Sequence, residues 1–195
     1  FSSFGGWVPN VAVTSDGSYV VVPVSHSKTV VVIDTTSLSV VATIDVSPYS
    51  SGYPYYVTLD PTESIALIGD GSGDRIHVIQ LNGASSQYLQ SFIPGDYPFR
   101  IYYESDRPYI YCLNYYAENV AVIDALTYTV VTTVALPGTP FDMACSDDVL
   151  YVTCEASGSP GDLATINVIT MNGPSTILDA SYNSNYYGIA IVAHT

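Results

Sequence analysis

The chain has 195 residues and a formal net charge of −14, because 18 acidic residues outnumber four lysines and arginines. This charge excludes nucleic acid as a partner, since a phosphate backbone would be repelled, and it disfavours contact with anionic membranes. No apolar run approaches the roughly 18 residues of a membrane-spanning helix, so we expect no membrane insertion.

In chain order, the first predicted elements are four short strands within the segment Pro9–Val46. β-Branched residues dominate these strands, whereas glycine, aspartate and serine fill the connections between them, as is typical of antiparallel sheets. The predicted strands are Val11–Val13, Tyr19–Val22, Thr29–Ile33 and Ser39–Ile44.

The same pattern returns three times, and each copy begins with a proline. The leading prolines, Pro9, Pro54, Pro98 and Pro140, are spaced by 45, 44 and 42 residues. Four-stranded units at a period of about 40–45 residues are typical of β-propeller blades, which bury their faces by stacking around a central axis. The sequence therefore predicts a single all-β propeller domain over residues 1–195. Its four visible blades are expected at residues 9–47, 54–94, 98–137 and 140–180.

Three segments in the later units resemble the YVTN-type β-propeller repeat. They are "YIYCLN" at Tyr109–Asn114, "VAVIDALTYTVVTTV" at Val120–Val134 and "LYVTC" at Leu150–Cys154. The resemblance implies a propeller fold, but it does not imply one function, because such repeats serve many roles. The second and fourth units depart from the pattern. They carry Asn82-Gly83 and Asn172-Gly173 where the first and third units have an aspartate turn, and we expect tight hairpin turns there.

A further apolar segment follows the fourth unit, at residues 186–193, and aligns with the innermost strand of a blade. This extra C-terminal strand contains Tyr187, Gly188, Ile189, Ala190, Ile191 and Val192. Three interpretations remain open. The chain is part of a larger ring, or the strand closes its own ring by pairing near residues 1–8, or the strand completes a sheet in a neighbouring molecule. Strand donation repeated head to tail would build a filament.

Motifs for metal binding or catalysis are weak in this sequence. The string "GDGSGD" at residues 69–74 makes Asp70 and Asp74 weak calcium candidates, but a glycine-rich connection between strands is the favoured interpretation. Zinc and nucleophile signatures are missing from the sequence, so we expect no cofactor, no metal and no catalytic residues. Six acidic residues that could form carboxylate pairs are expected to be solvated turn residues: Glu104, Asp106, Asp142, Asp147, Asp148 and Glu155.

The three cysteines, Cys112, Cys145 and Cys154, allow one disulfide with one thiol left over. A turn at Asp147-Asp148 would pair Cys145 near Leu150, which disfavours a bond between Cys145 and Cys154. A bond between Cys112 and Cys154, on equivalent strands of adjacent blades, and three buried thiols remain as alternatives.

Tyrosine is the most informative residue type, with 18 copies concentrated at the starts of blades and the ends of loops. A tyrosine ring gives broad contact area with a polar tip, so it is enriched at interfaces, although stacking on sugars is a second use. We expect interface roles for Tyr53, Tyr55, Tyr115, Tyr116 and Tyr186.

Together these features predict a non-enzymatic structural or interaction protein. Few lysines and many tyrosines, serines and threonines favour an extracellular or cell-surface location after removal of an N-terminal signal. The expected partner is a second copy of the chain, which would give a filament or surface layer; other surface proteins or glycans are further candidates. The rival hypothesis is a secreted propeller that binds carbohydrate or acts as a lactonase-like hydrolase at a site in its central channel.

Overall fold

A computed structural model describes residues 7–146, 149–155, 162–167 and 174–178, with backbone alone for residues 146 and 155 and for the last two ranges. Within these ranges, no helix is long and apolar enough to cross a membrane. The regular structure comprises a short 3-10 helix at Gly71–Gly73 and sixteen strands. The strands are β1 Ala12–Val13, β2 Tyr19–Val24, β3 Thr29–Asp34, β4 Ser39–Asp45, β5 Pro54–Leu59, β6 Ile65–Asp70, β7 Arg75–Gln80, β8 Gln87–Phe92, β9 Pro98–Tyr103, β10 Tyr109–Asn114, β11 Asn119–Asp124, β12 Thr129–Ala135, β13 Thr139–Ser146, β14 Val149–Glu155, β15 Asp162–Asn167 and β16 Pro174–Leu178.

The strands form four antiparallel sheets of four consecutive strands each, which we call blades 1 to 4 in chain order. The first strands of successive blades, β1, β5, β9 and β13, lie side by side. This arrangement confirms the predicted all-β fold of four four-stranded propeller blades. The extra strand predicted at residues 186–193 lies outside the described residues.

On the central strands of a blade, successive side chains point alternately toward the preceding blade and toward the following blade. In blade 2, Ala66 and Ile68 pack against blade 1, whereas Leu67 packs against blade 3. All three are fully buried, and burial of a Leu or Ile side chain contributes about 1.5–3 kcal/mol. On the face of blade 1 that points away from blade 2, Val24 and Val31 belong to a separate buried apolar cluster. Stacking therefore requires apolar residues on both faces of the central strands.

The aspartate that ends the third strand of blades 1 and 3 closes the following turn. Oδ1 of Asp34 accepts hydrogen bonds from the Ser37 N–H and hydroxyl, both at 2.7 Å, and Asp124 accepts equivalent bonds in blade 3. Backbone N–H groups lead the causes that lower the pKa of both carboxyls. Each turn then ends on a left-handed residue, Leu38 at φ 52° and Tyr128 at φ 55°. The aspartate of the V-I-D motif is thus a turn residue.

The predicted tight hairpin at Asn82-Gly83 is wrong in its length. Strand β7 ends at Gln80 and β8 begins at Gln87, so the connection spans six residues, 81–86. Two successive turns fill it, because the Ser85 N–H donates to the Asn82 carbonyl and the Ser86 N–H donates to the Gly83 carbonyl. The glycine does supply a left-handed residue, at φ 50°. The second predicted hairpin, at Asn172-Gly173, lies outside the described residues.

Candidate functional site

A β-bulge lies at the leading proline of blades 2, 3 and 4. In each blade the proline pairs with the end of the second strand, the next residue is skipped, and pairing resumes one residue later. The skipped residue is aromatic every time: Tyr55, Phe99 or Phe141. Proline has no N–H for the ladder, and a bulge redirects the side chain of the extra residue. A proline–aromatic pair therefore directs one ring from each of these blades to the same end of the fold.

These rings form a continuous series across the four blades. Trp7, which precedes blade 1, packs edge-on against Tyr55 with ring centroids 4.9 Å apart, and Tyr55 lies 6.2 Å from Phe99. Tyr115 sits between Phe99 and Phe141, at 5.8 and 5.9 Å. Aromatic pairs at such separations contribute about 0.5–1.5 kcal/mol each beyond their buried area. We call these five residues the aromatic rim.

Further tyrosines widen the rim into a surface. Tyr116 lies 4.9 Å from Tyr97 and 5.2 Å from Tyr115, and Tyr53 lies 6.2 Å from the ring of His26. Tyr116 is 65% exposed and Tyr53 is 48% exposed; Trp7, within the rim itself, is 54% exposed. Large aromatic side chains usually bury most of their area, so this grouping of exposed rings is informative.

A small cavity of about 130 Å³ lies at the blade 1 end of the rim. Burial raises the pKa of Tyr55, and burial together with the neighbouring tyrosines raises the pKa of Tyr97. Both hydroxyls therefore stay protonated and can donate hydrogen bonds over the physiological pH range. The cavity is lined by Trp7, Ser25, His26, Tyr53, Tyr55, Ser72 and Tyr97.

The structure brings four of the five predicted interface tyrosines together, Tyr53, Tyr55, Tyr115 and Tyr116, and the fifth, Tyr186, lies outside the described residues. Sequence reasoning missed Trp7, Phe99 and Phe141. Phe99 and Phe141 could have been predicted from the sequence, because an aromatic residue directly follows each of Pro54, Pro98 and Pro140.

A cation contacts the rim from the inner strand of blade 3. The Arg100 guanidinium lies 5.9 Å from the ring centroid of Phe99 and 4.8 Å from that of Tyr56. Its Nε also lies 3.3 Å from Oδ1 of Asp142 in blade 4. Guanidinium groups stack favourably on aromatic faces, so Arg100 helps to hold adjacent blades and rings together.

The weak calcium candidates have structural partners. The Asp70 carboxylate is fully buried, lies 3.3 Å from His77 Nε2 and accepts a hydrogen bond from the Gly73 N–H at 3.1 Å. Asp74 Oδ1 accepts a hydrogen bond from the Tyr97 N–H at 2.9 Å. Within the described part of the chain, no three His, Cys, Asp or Glu side chains converge as a metal site. Asp70 and His77 instead form a buried pair inside blade 2.

Two of the acidic residues expected to be solvated turn residues are not. Asp142 lies within β13, and its side chain is 16% exposed and paired with Arg100. Glu104 is buried, and its Oε2 lies 3.7 Å from Cys145 Sγ; the expectation that it is a solvated turn residue is wrong, because blade 4 packs over it. Cys145 pairs with Leu150, as predicted. The structure has Cys112, Cys145 and Cys154 as thiols, with no disulfide among the three.

Comparisons with known proteins identify the fold. No protein-family model matches the sequence, and no curated protein matches it. Solved β-propellers do match the structure. Against hydrazine synthase from Kuenenia stuttgartiensis the TM-score is 0.76 at 15% identity, covering 87% of this chain and 48% of that one. A chain of the mitotic checkpoint complex matches with a TM-score of 0.75 at 15% identity, over 93% of this chain and 53% of that one. The WD40 repeats of RRP9 match with a TM-score of 0.72 at 14% identity, over 86% of this chain and 50% of that one.

The chain thus spans about half the length of these solved structures. At such identities the likeness shows the β-propeller fold alone, and the compared proteins include both an enzyme and WD40 repeats. The site has to be interpreted from its own chemistry, which is a surface of exposed and partly exposed aromatic rings at one end of the blades.

Proposed function

We propose that this chain is a non-enzymatic interaction propeller of the extracellular space or cell surface, of the YVTN repeat type, which associates with further copies of itself. The observation that carries the proposal is the aromatic rim with its exposed flanking tyrosines. Tyrosine and tryptophan are the residue types most enriched at the energetic centres of protein interfaces. Rings held by neighbouring rings also lose little conformational freedom on binding, which favours affinity.

The charge of the chain bears on the choice of partner. With a formal charge of −14, two copies repel each other at neutral pH, and protonation of the 18 carboxyl groups on acidification removes most of that repulsion. We therefore expect association to strengthen as the pH falls. The segment Tyr187–Val192 is the proposed strand that would extend the contact from rim packing to backbone pairing, as a filament requires.

The test measures the mass of the full chain by light scattering over a concentration series, at neutral pH and near pH ~4, where Asp and Glu side chains begin to protonate. We expect larger particles at acid pH. The double variant Trp7→Ser with Tyr116→Ser should weaken association at least tenfold, because truncation of one hot-spot aromatic costs about 2 kcal/mol. Leu126→Ser is the control, since Leu126 is 80% exposed and lies in the β11–β12 turn at the opposite end of blade 3.

The strand requires its own variant. Ala190→Pro removes one backbone N–H from the segment. If the segment pairs with a neighbouring copy, the variant loses association and keeps its unfolding midpoint. If it pairs within its own chain, the midpoint falls and association persists. A parent protein that stays monomeric at every concentration and pH, or a Leu126→Ser loss equal to the rim loss, would overturn the self-association proposal.

A further inference from the structure

Two of the four cationic side chains converge on one cavity. Lys28 precedes β3 in blade 1 and Arg75 begins β7 in blade 2, yet both line a cavity of about 490 Å³ between the two blades. The connection from β4 to β5 supplies most of the remaining wall, including Ser47 and Ser51. In a chain with 18 acidic residues, a cavity lined by two cations and no carboxylate is unexpected from composition alone.

Each cation has one hydrogen-bond acceptor among the described residues. Lys28 Nζ donates to the Ser51 carbonyl at 2.6 Å and Arg75 Nη1 donates to the Ser91 hydroxyl at 3.4 Å. An ammonium group has three donors and a guanidinium has five, so two and four remain. Across the described residues, neither cation has a carboxylate within 4.0 Å; the ion pairs found there involve His77 and Arg100.

Three carboxylates lie within five residues of the lining residues in sequence, and each has a partner of its own. Asp74, which precedes Arg75, accepts a hydrogen bond from the Tyr97 N–H at 2.9 Å. Asp45 accepts a hydrogen bond from the Ser47 N–H at 2.8 Å, and hydrogen bonds from Ser47 lower its pKa. Asp70 is buried against His77 and also interacts with the Ser50 hydroxyl. Asp45, Asp70 and Asp74 are all missing from the lining of the cavity, so the charged groups that it presents to a ligand are the two cations.

The walls of the cavity are fixed by packing. Tyr49 stacks on Tyr88 with ring centroids 3.6 Å apart and planes 3° from parallel. A Cβ atom placed on Gly73 would lie 1.9 Å from Ser50 Oγ, so the two loops touch closely. Lys28 has a left-handed backbone at φ 53°, and its ammonium lies 5.0 Å from the ring centroid of Tyr53. A site whose groups are already held in place loses less freedom when a ligand binds.

We propose that this cavity binds a carboxylate-bearing ligand, with the Arg75 guanidinium and the Lys28 ammonium as its two charge partners. A guanidinium presents paired N–H groups that match the two oxygens of a carboxylate, and an ammonium adds a point charge. The cavity is an open groove on the surface, so the two charges are the main groups that would hold a ligand there. The carboxylate could come from a free acidic molecule, such as an acidic sugar, or from an Asp or Glu side chain of a second copy.

The first test uses sodium glucuronate as the probe and glucose as its neutral match, at constant ionic strength, followed by backbone amide NMR. Glucuronate should shift the amide signals of residues 47, 49–51 and 73 with a saturating curve, and glucose should not. Arg75→Gln and Lys28→Gln should each weaken binding about tenfold, whereas Arg107→Gln, which removes the same charge elsewhere, should not. No saturable shift with glucuronate, equal shifts with glucose, or unchanged affinity in Arg75→Gln would overturn the proposal.

A second measurement separates the two sources of the carboxylate and stands apart from the rim test. If a second copy supplies it, added glucuronate should dissociate the self-association complex, and Arg75→Gln should weaken association while Arg107→Gln does not. If a free acidic molecule is the ligand, glucuronate binds without changing the particle mass. Either result supports the proposal that the cavity binds a carboxylate group. Variants of Trp7 and Tyr116 leave the cavity intact, so failure of rim-mediated association does not alter the glucuronate result.

Discussion

The buried pair of Asp70 and His77 can be exchanged for the apolar pair that blade 1 has at the same place. Asp70 pairs with Arg75 at the end of β6 as Val24 pairs with Thr29 at the end of β2, and His77 lies opposite Ile68 as Val31 lies opposite Val22. The blade 1 pair is buried in an apolar cluster. We therefore propose a double-mutant cycle that compares the parent protein with Asp70→Val, His77→Val and the double variant.

The structure sets the expected magnitudes. Both side chains are fully buried, and removing one partner of a buried pair costs about 3–5 kcal/mol. His77→Val should be the worse single change, because it leaves a buried carboxylate with only the Gly73 N–H and the Ser50 hydroxyl as partners. The double variant loses these bonds, at about 1 kcal/mol each. It also removes the His77 Nδ1 atom, which is buried and has no hydrogen-bond partner among the described residues.

The assay is urea unfolding of all four proteins at neutral pH, with Leu126→Val, at an 80% exposed side chain, as a control that should change stability by less than about 0.5 kcal/mol. We expect the double variant to be at least about 2 kcal/mol more stable than the sum of the single losses predicts. Additive losses would refute the reasoning, because they would mean that the two side chains are energetically independent.

Acid pH gives a second check on the same pair. Burial raises the pKa of Asp70, but hydrogen bonds from His77, Ser50 and Gly73 outweigh it and hold the pKa below its usual value. A carboxyl with a lowered folded-state pKa stabilises the fold above its unfolded value, near 3.9, and that contribution is lost as the pH falls through the folded value. The parent should therefore lose more stability on acidification than the double valine variant does.

Two further predictions concern single side chains. Leu38 has a left-handed backbone at φ 52° and is 65% exposed, so Leu38→Gly should raise the unfolding free energy by up to about 1 kcal/mol. Leu126 lies in the equivalent turn of blade 3 without a positive φ, so Leu126→Gly should lower the unfolding free energy. Similar shifts in both variants would contradict this prediction. Burial, with Cys145 and Glu104 nearby, raises the pKa of Tyr102 to about 12, so its contribution to stability is complete below pH ~10 and is lost as the pH rises through about 12. Tyr102→Phe should flatten that alkaline decline in thermal unfolding, and an equally steep decline would count against it.

The repeat pattern predicts the architecture well because each blade encodes its own strands and turns. The proline spacing locates the four sheets, and the turn predicted from the sequence at residues 147–148 correctly places Cys145 opposite Leu150. These features depend on neighbours in sequence, where propensity and hairpin geometry act directly.

The candidate site is harder to predict because its members come from different blades. Tyr55 and Phe99 are adjacent only because a bulge skips one residue in each blade, and an alternating strand pattern contains no sign of that skip. The cavity of Lys28 and Arg75 has the same cause, since two loops from neighbouring blades meet only after stacking. Asp70 is read from the sequence as a loop carboxylate, and only the burial of His77 beside it reveals the pair.

The bulge at the start of blades 2, 3 and 4 frees one residue from a constraint that strand residues normally meet. A residue in regular pairing must suit the partner strand as well as whatever its side chain touches outside the sheet. Tyr55, Phe99 and Phe141 have no ladder partner, so their side chains can be exchanged without altering the register on either side. In blade 1, where the first strand begins only at Ala12, the residue after the leading proline is Asn10, whose Oδ1 accepts a hydrogen bond from the Val57 N–H. The surface chemistry of this propeller can therefore be changed one blade at a time while the scaffold keeps its shape.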